Sequence, residues 1–209
     1  MKILIADDHA IVREGIKQIV KTLPEVSQID EANDGQEALT KMGKTNYDLV
    51  ILDISMPVMS GLDLLQHLKN KGAETRVLVL SFHPMEQYAI RAFKLGAYGY
   101  LSKDSAFEEL SMAIRKIAAG GKYVSASFAE KLLFKEINPD QNTLHESLSE
   151  REFQVMILLA KGKTVTEIAA EIFLSDKTIA TYRSRIMEKM QLKKNADLTI
   201  YALRNKLIE

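Results

Sequence analysis

The sequence predicts an α/β domain built on a five-stranded parallel sheet, followed by a smaller all-α domain, and three observations carry that expectation. From Lys2 to about Lys122, short apolar runs alternate with amphipathic stretches, as strands and helices do when they take turns around a parallel sheet. Three of the runs, Ile3-Leu4-Ile5, Leu49-Val50-Ile51-Leu52 and Val77-Leu78-Val79-Leu80, are apolar at consecutive positions, the pattern of strands covered on both faces. After about Glu146 no strand pattern recurs and only helical spacing remains.

In chain order, strands are expected at Ile3–Ala6, Gln28–Ala32, Leu49–Leu52, Val77–Leu80 and Gly99–Leu101. Between them, Asp34-x-x-Glu37 and Ser105-x-x-Glu108 read as capping boxes that open helices, and the last helix of the domain runs out at Gly120-Gly121. The first domain is placed at residues 1–122. A linker follows at 123–145, where Asn138-Pro139-Asp140-Gln141-Asn142 cannot continue a helix through the proline, although Ser127–Glu136 suits a short helix with Phe128, Leu132 and Leu133 on one side. The second domain, 146–209, has four helical segments: Ser149–Ala160, Thr164–Ile172, Asp176–Met190 and Ala196–Leu207. Ser149-x-x-Glu152 and Thr164-x-x-Glu167 are again capping boxes, Gly162 occupies a C-terminal cap position and Ser175 an N-cap.

With 209 residues there is room for two domains, each with its own core. Lys and Arg number 28 and so do Asp and Glu, a neutral total that disfavours packaging-type nucleic-acid binding, acidic disordered tails and polybasic membrane binding. Hydrophobic residues at 46% and charged residues at 27% are those of a folded protein rather than a disordered one. The absence of cysteine removes disulfides, thiolate catalysis, Cys-ligated zinc and iron–sulfur clusters. The apolar start is too short for a signal peptide and no later run approaches the ~18 apolar residues of a membrane span, so a cytoplasmic location without membrane contact is expected.

Asp7-Asp8 directly follow the first strand and Asp53 directly follows the third. In an open parallel sheet, ligands bind beyond the carboxyl ends of the strands at the switch point of strand order, so these carboxylates are expected to converge. Three such charges repel unless a hard cation lies among them, and Mg²⁺ accepts one or two carboxylates with waters and a phosphate oxygen. Ser81 and Lys103 sit at two further strand ends, where a hydroxyl and an ammonium suit phosphoryl oxygens. In-line attack by a carboxylate would then give an aspartyl phosphate, with Asp53 the candidate nucleophile. Taken alone, the Asp pair is also compatible with a helix cap, and Tyr100 with core packing. His9 and His83 read as surface or loop histidines.

The order Asp7-Asp8, Leu52-Asp53-Ile54-Ser55-Met56-Pro57, Ser81 and Tyr100-Leu101-Ser102-Lys103 resembles the receiver domain of bacterial two-component response regulators, over residues 1–122. That resemblance implies a flavodoxin-like fold, phosphorylation of Asp53 by a histidine kinase, and Mg²⁺ held by Asp7, Asp8, Asp53 and the backbone carbonyl of Ser55. It further implies that Ser81 is the switch hydroxyl, Lys103 the charge partner of the phosphoryl group, and Tyr100 the aromatic that changes rotamer. The family often has threonine at the Ser81 position and a small residue at the next, where this chain has Phe82, a departure that bears on the rate of phosphoryl loss.

Splitting the charge locates the basic element. Residues 1–122 carry 15 basic and 16 acidic side chains, and residues 146–209 carry 11 and 9. Within Asp176–Lys194, six basic residues (Lys177, Arg183, Arg185, Lys189, Lys193, Lys194) face only Asp176 and Glu188. Thr164–Ile172, the short break Phe173-Leu174-Ser175 and the basic helix form a helix-turn-helix arrangement, with Ile168, Ala169, Ile172, Leu174, Ile179, Ile186 and Met190 expected inward. From charge alone, a solvated helix face and a DNA-facing one stand equal. Leu148-Ser149-Glu150-Arg151-Glu152, Glu167-Ile168-Ala169, Leu174-Ser175-Asp176-Lys177-Thr178-Ile179 and Ile186-Met187-Glu188-Lys189-Met190 resemble the LuxR-type helix-turn-helix of NarL/FixJ response regulators.

This second resemblance implies that Ala180, Thr181 and Ser184 face base edges, and that Lys177, Thr178, Tyr182, Arg183, Arg185 and Lys189 are further DNA contacts, mainly to phosphate. It also implies a closing helix that pairs two copies, although Leu198, Tyr201 and Ala202 equally suit a core. The expectation is therefore a regulator rather than an enzyme, phosphorylated on Asp53 with Mg²⁺ and acting as a dimer on paired half-sites of double-stranded DNA. A regulator with a vestigial receiver and a Mg²⁺-dependent phosphatase are the alternatives. The phosphatase would want an acid two residues after Asp53, where Ser55 stands.

Overall fold

The computed structural model describes residues 1–82, 85–104, 106–126, 128–130, 144–205 and 207–208. The chain forms two compact units, residues 1–135 and 136–209. In the first unit, β1 (Lys2–Ala6), β2 (Gln28–Ala32), β3 (Leu49–Leu52), β4 (Arg76–Ser81) and β5 (Gly99–Ser102) form one sheet in the order β2-β1-β3-β4-β5, every pair parallel. Each expected strand is present within one residue of its expected ends. The strand order reverses between β1 and β3, so the crevice of this fold opens beyond Ala6 and Leu52.

Alternation along the strands decides the two faces. Ile3, Ile5, Leu49, Ile51, Leu78, Leu80 and Leu101 share one core with Ile16 and Val20 of α1 (Ala10–Lys21) and Leu110, Ala113, Ile114 and Ile117 of α5 (Ala106–Ala118). Leu4, Val50, Leu52, Val79 and Tyr100 stand at the alternate positions and are equally buried. The other helices are α2 (Gly35–Met42), α3 (Gly61–Asn70) and α4 (Met85–Lys94). Asp34 caps α2 through the Glu37 N–H, but the Glu37 carboxylate accepts from Asn33 rather than from Asp34, so only half of that box forms as expected. The Ser60–Asp63 pair, which the sequence reading passes over, makes a full box at the start of α3.

The Ser105 box, His83 and most of the proposed linker lie outside the described residues; of the helix expected from Ser127, residues 128–130 are described and are helical. The described part of the second unit opens with a short 3-10 turn, Leu144–Ser147, and continues with α6 (Glu150–Ala160), α7 (Val165–Glu171), α8 (Asp176–Lys189) and α9 (Asn195–Arg204). Ser149 and Thr164 both make the expected capping boxes, and Ser175 caps α8. Of the residues expected inward, Ile168, Ala169, Ile172, Ile179, Ile186 and Met190 are buried and Leu174 is half-buried. Most of α6 is buried, so it serves as the central helix of this unit.

Three helices of the second unit end in the same type of cap, with the residue after the C-cap in the left-handed region. After α6 that residue is Gly162, whereas after α7 it is Phe173 (φ +56°) and after α8 it is Gln191 (φ +55°). The Leu174 N–H donates to the Ala169 carbonyl at 2.9 Å, which closes the turn between α7 and α8 around Phe173.

Candidate functional site

Backbone hydrogen bonds extend the sheet by one rung at each place where an acidic-site residue leaves it. The Asp7 N–H donates to the Ala32 carbonyl (3.1 Å), the Asp53 N–H to the Ala6 carbonyl (2.9 Å) and the Lys103 N–H to the Ser81 carbonyl (3.0 Å). The three side chains are thus aimed from backbones that the sheet itself fixes. Arg13 of α1 adds a clamp, donating from Nη1 to the Asp7 carbonyl at 2.7 Å and from Nε to Glu31 at 2.9 Å.

The expected convergence is present. The Lys103 ammonium lies 2.7 Å from Asp7 Oδ2 and 3.0 Å from Asp53 Oδ2, and all three side chains are at most 3% exposed. One carboxylate oxygen from each of Asp7, Asp8 and Asp53, with a ring nitrogen of His9, falls within a 4.8 Å cluster. Asp8 is exposed, and its Oδ1 lies 2.8 Å from His9 Nδ1. Despite the ion pairs, Asp7 Oδ2 and Lys103 Nζ have no aligned hydrogen-bond partner, so buried polar capacity remains unfilled at the centre of the cluster. Burial pushes the Asp53 carboxyl up to about 6; the nearby Asp7 charge adds to this, while Lys103 and the Ile54 N–H oppose it.

Ser81 is buried at the end of β4, paired in register with Ser102 of β5, and Tyr100 is fully buried within β5. Ser55 is half-buried in the loop after Asp53. That loop is tight. Met59 N–H donates to the Pro57 carbonyl at 2.6 Å across Val58, whose φ of +61° is unusual for a β-branched residue. Gly61 closes it, since a Cβ there would lie 2.0 Å from the Asp53 carbonyl oxygen. Sequence reasoning missed both Gly61 and Arg13. The Gly after a Met-Pro turn reads as an ordinary turn-former, and an arginine on α1 gives no sign that it reaches back to a strand-end carbonyl.

In the second unit, α7 and α8 are fastened by the Thr166 hydroxyl donating to Asp176 Oδ2 at 2.7 Å. Along α8, Lys177, Ala180, Thr181, Ser184 and Arg185 are exposed, and Thr178, Tyr182 and Arg183 are half-buried. The hydroxyls of Thr181 and Ser184 donate to the Lys177 and Ala180 carbonyls, which leaves their oxygens able to accept. Arg183 Nε donates to Asn195 at the start of α9 (2.9 Å), and Lys189 Nζ lies 2.6 Å from the buried Glu152 of α6. These two basic side chains therefore have intramolecular work to do, whereas Lys177 and Arg185 are in no ion pair among the described residues.

Burial raises the pKa of the Glu152 carboxyl, but hydrogen bonds from Lys189 and Ser149 outweigh it and hold the group below its ordinary range. The Tyr201 hydroxyl lies 2.8 Å from His145 Nδ1, joining α9 to the turn at the start of the unit. Ile200 and Leu203 of α9 are about half exposed.

Comparison with known proteins follows the same division of the chain. Residues 3–115 match the response regulator receiver domain family and residues 146–202 the family of bacterial regulatory proteins described as luxR. The response regulator UvrY of Escherichia coli (strain K12) is 34% identical over 99% of this chain and 95% of its own length. The oxygen regulatory protein NreC of Staphylococcus carnosus is 35% identical over the whole of both chains. Among solved structures, RcsB from Salmonella enterica serovar Typhimurium, bound to promoter rprA in the presence of phosphomimetic BeF₃⁻, superposes with a TM-score of 0.67 at 26% identity, over 96% of this chain and 98% of that one.

Proposed function

The chain belongs to the response regulators of two-component systems, with a receiver domain and a LuxR-type DNA-binding domain, and on that premise we propose that Asp53 is its phosphoacceptor. The receiver is proposed to span 1–122, the linker 123–145 and the DNA-binding domain 146–209. The observation that carries the proposal is the buried Asp53 carboxylate sharing one ammonium with Asp7 beyond the ends of β1 and β3. An Asp53 oxygen attacks the phosphorus of a phosphohistidine donated by a histidine kinase, and the P–N bond breaks as the P–O bond forms. Lys103 lies where it would balance the added charge, and Ser81, at the next strand end, supplies a hydroxyl donor. Tyr100 is proposed to respond by changing rotamer.

Mg²⁺ fits the residues present: the donors are hard oxygens of Asp7, Asp8 and Asp53, with the Ser55 carbonyl proposed as a further ligand two residues along the chain from Asp53, and Asp7 Oδ2 is a buried acceptor with unfilled capacity. When bound, the cation would neutralise the carboxylates and the incoming phosphoryl oxygens. Acetyl phosphate with Mg²⁺ should add the mass of one phosphoryl group to the wild type and none to Asp53→Asn; an equal gain in both would remove Asp53 from the role.

DNA is proposed to meet α8, with Ala180, Thr181 and Ser184 toward base edges and Lys177, Thr178, Tyr182, Arg183 and Arg185 toward the backbone. The family resemblance also assigns Lys189 to phosphate, but its pairing with Glu152 supports a structural role instead. Two copies on paired half-sites are proposed, with the exposed Ile200 and Leu203 of α9 supporting a pairing face. A cytoplasmic location suits a regulator that reads DNA. Arg185→Ala should weaken binding to all sequences and shallow the salt dependence by about one unit of slope, while Thr181→Ala should change base preference more than affinity. Measured as binding isotherms across salt concentrations, equal effects of both on every sequence would overturn this orientation of α8.

A further inference from the structure

The residue that follows buried Ser81 is Phe82, and 58% of it is exposed. Among the described residues the ring is not part of the core cluster on the sheet, and leaving an aromatic side chain in water forgoes much of the stabilisation that burial would bring. The Phe82 ring centroid lies 5.1 Å from Lys103 Nζ, within cation–π range. Lys103 in turn is 2% exposed, although it stands at the open end of the sheet. On its other contacts the ammonium is met by Asp7 and Asp53, so the ring supplies part of the cover that keeps water from it. Asp8 and His9, by contrast, have side chains 31% and 57% exposed, which leaves their side of the cluster accessible.

We infer that Phe82 is a shielding residue that lengthens the life of the phosphoryl group on Asp53. The inference rests on Asp53 being the phosphoacceptor. Loss of the group is a hydrolysis: a water oxygen bonds to phosphorus, the P–O bond to Asp53 breaks, the carboxylate is regenerated, and inorganic phosphate leaves with the proton released to solvent. Water reaches phosphorus from outside the pocket, and a ring seated over Lys103 reduces the space from which it can do so. The same ring hinders small phosphoryl donors, so loading and loss are both slowed. A side chain as small as alanine at this position would leave the ammonium and the phosphoryl oxygens open to solvent.

The test loads full-length wild type, Phe82→Ala and Phe82→Trp with acetyl phosphate and Mg²⁺, removes the donor, and follows the phosphorylated fraction by intact mass. Phe82→Ala should shorten the half-life about tenfold and load faster, and Phe82→Trp should keep the wild-type half-life. In denaturing urea all three acyl phosphates should decay alike, which separates shielding from intrinsic reactivity. Because the ring is exposed, truncation should leave thermal unfolding nearly unchanged. Equal half-lives for wild type and Phe82→Ala, with phosphorylation of both proven, would overturn the shielding role alone. Absence of an Asp53-dependent mass gain in the wild type would overturn the phosphoacceptor assignment and the shielding role with it.

Discussion

Asp53 in the receiver and Glu152 in the DNA-binding unit begin from the same circumstances and end in opposite states. Each side chain is 3% exposed and each has a lysine ammonium within 3.0 Å, yet burial carries Asp53 up to about 6 whereas Glu152 is held below its ordinary range. The difference lies in what else each carboxylate holds. Glu152 Oε2 accepts the Ser149 N–H at 2.7 Å and has Lys189 to itself. Asp53 accepts the Ile54 N–H at 2.8 Å but shares Lys103 with Asp7. A satisfied carboxylate fastens helices together; an underserved one is available for a cation and a phosphoryl group.

Removing the lysines should break the symmetry most visibly. Lys103→Met leaves two buried carboxylates without a counter-charge and should cost the receiver about 3 kcal/mol in the absence of divalent cations. Lys189→Met should cost the second unit only about 1 kcal/mol, since that ammonium is 41% exposed and Glu152 keeps the Ser149 N–H. Site-resolved hydrogen exchange on the full chain separates the two units, and equal losses would contradict the comparison. Neutralising the acids should then give effects of opposite sign. Asp53→Asn should stabilise the metal-free receiver by about 1 kcal/mol and Glu152→Gln should destabilise its unit by a similar amount, read from urea denaturation.

The smallest effect is the pH dependence from Glu152. A carboxylate whose folded pKa lies below its unfolded one contributes stability that is complete above the unfolded value, about 4.3, and is lost as the pH falls through the folded value. Hydrogen exchange in the second unit should therefore accelerate below about pH 4.3 in the wild type by more than in Glu152→Gln. An identical acid profile for the two would remove Glu152 from the account.

How far the sequence disclosed this follows from the range of each interaction. Strands β1, β3 and β4 were legible because burial on both faces demands apolar residues at successive positions, and Asp7, Asp8, Asp53, Ser81 and Lys103 were legible because they end such runs. The Glu152–Lys189 pair was not, because its partners are 37 residues apart and a lysine among other basic residues looks like one more phosphate contact. Gly61 escaped for a similar reason: its requirement is set by a carbonyl that approaches only after folding. Phe173 and Gln191 in left-handed caps gave no warning either, since glycine is the residue that normally marks such a position.

The strand order has one more consequence. Asp7 and Asp53 leave β1 and β3, which have neighbours on both sides, whereas Lys103 follows β5, which among the described residues pairs with β4 and otherwise only through the isolated bridge to Tyr123. The anions are rooted in the interior of the sheet and their counterion hangs from its border. Any fraying that begins at that border withdraws the positive charge first and strands the negative ones, so partial opening meets an electrostatic penalty before the core is disturbed. The edge of the sheet and the charge state of the site are thus a single mechanical unit, and the exchange rates of the β5 amides become a gauge of what the pocket holds.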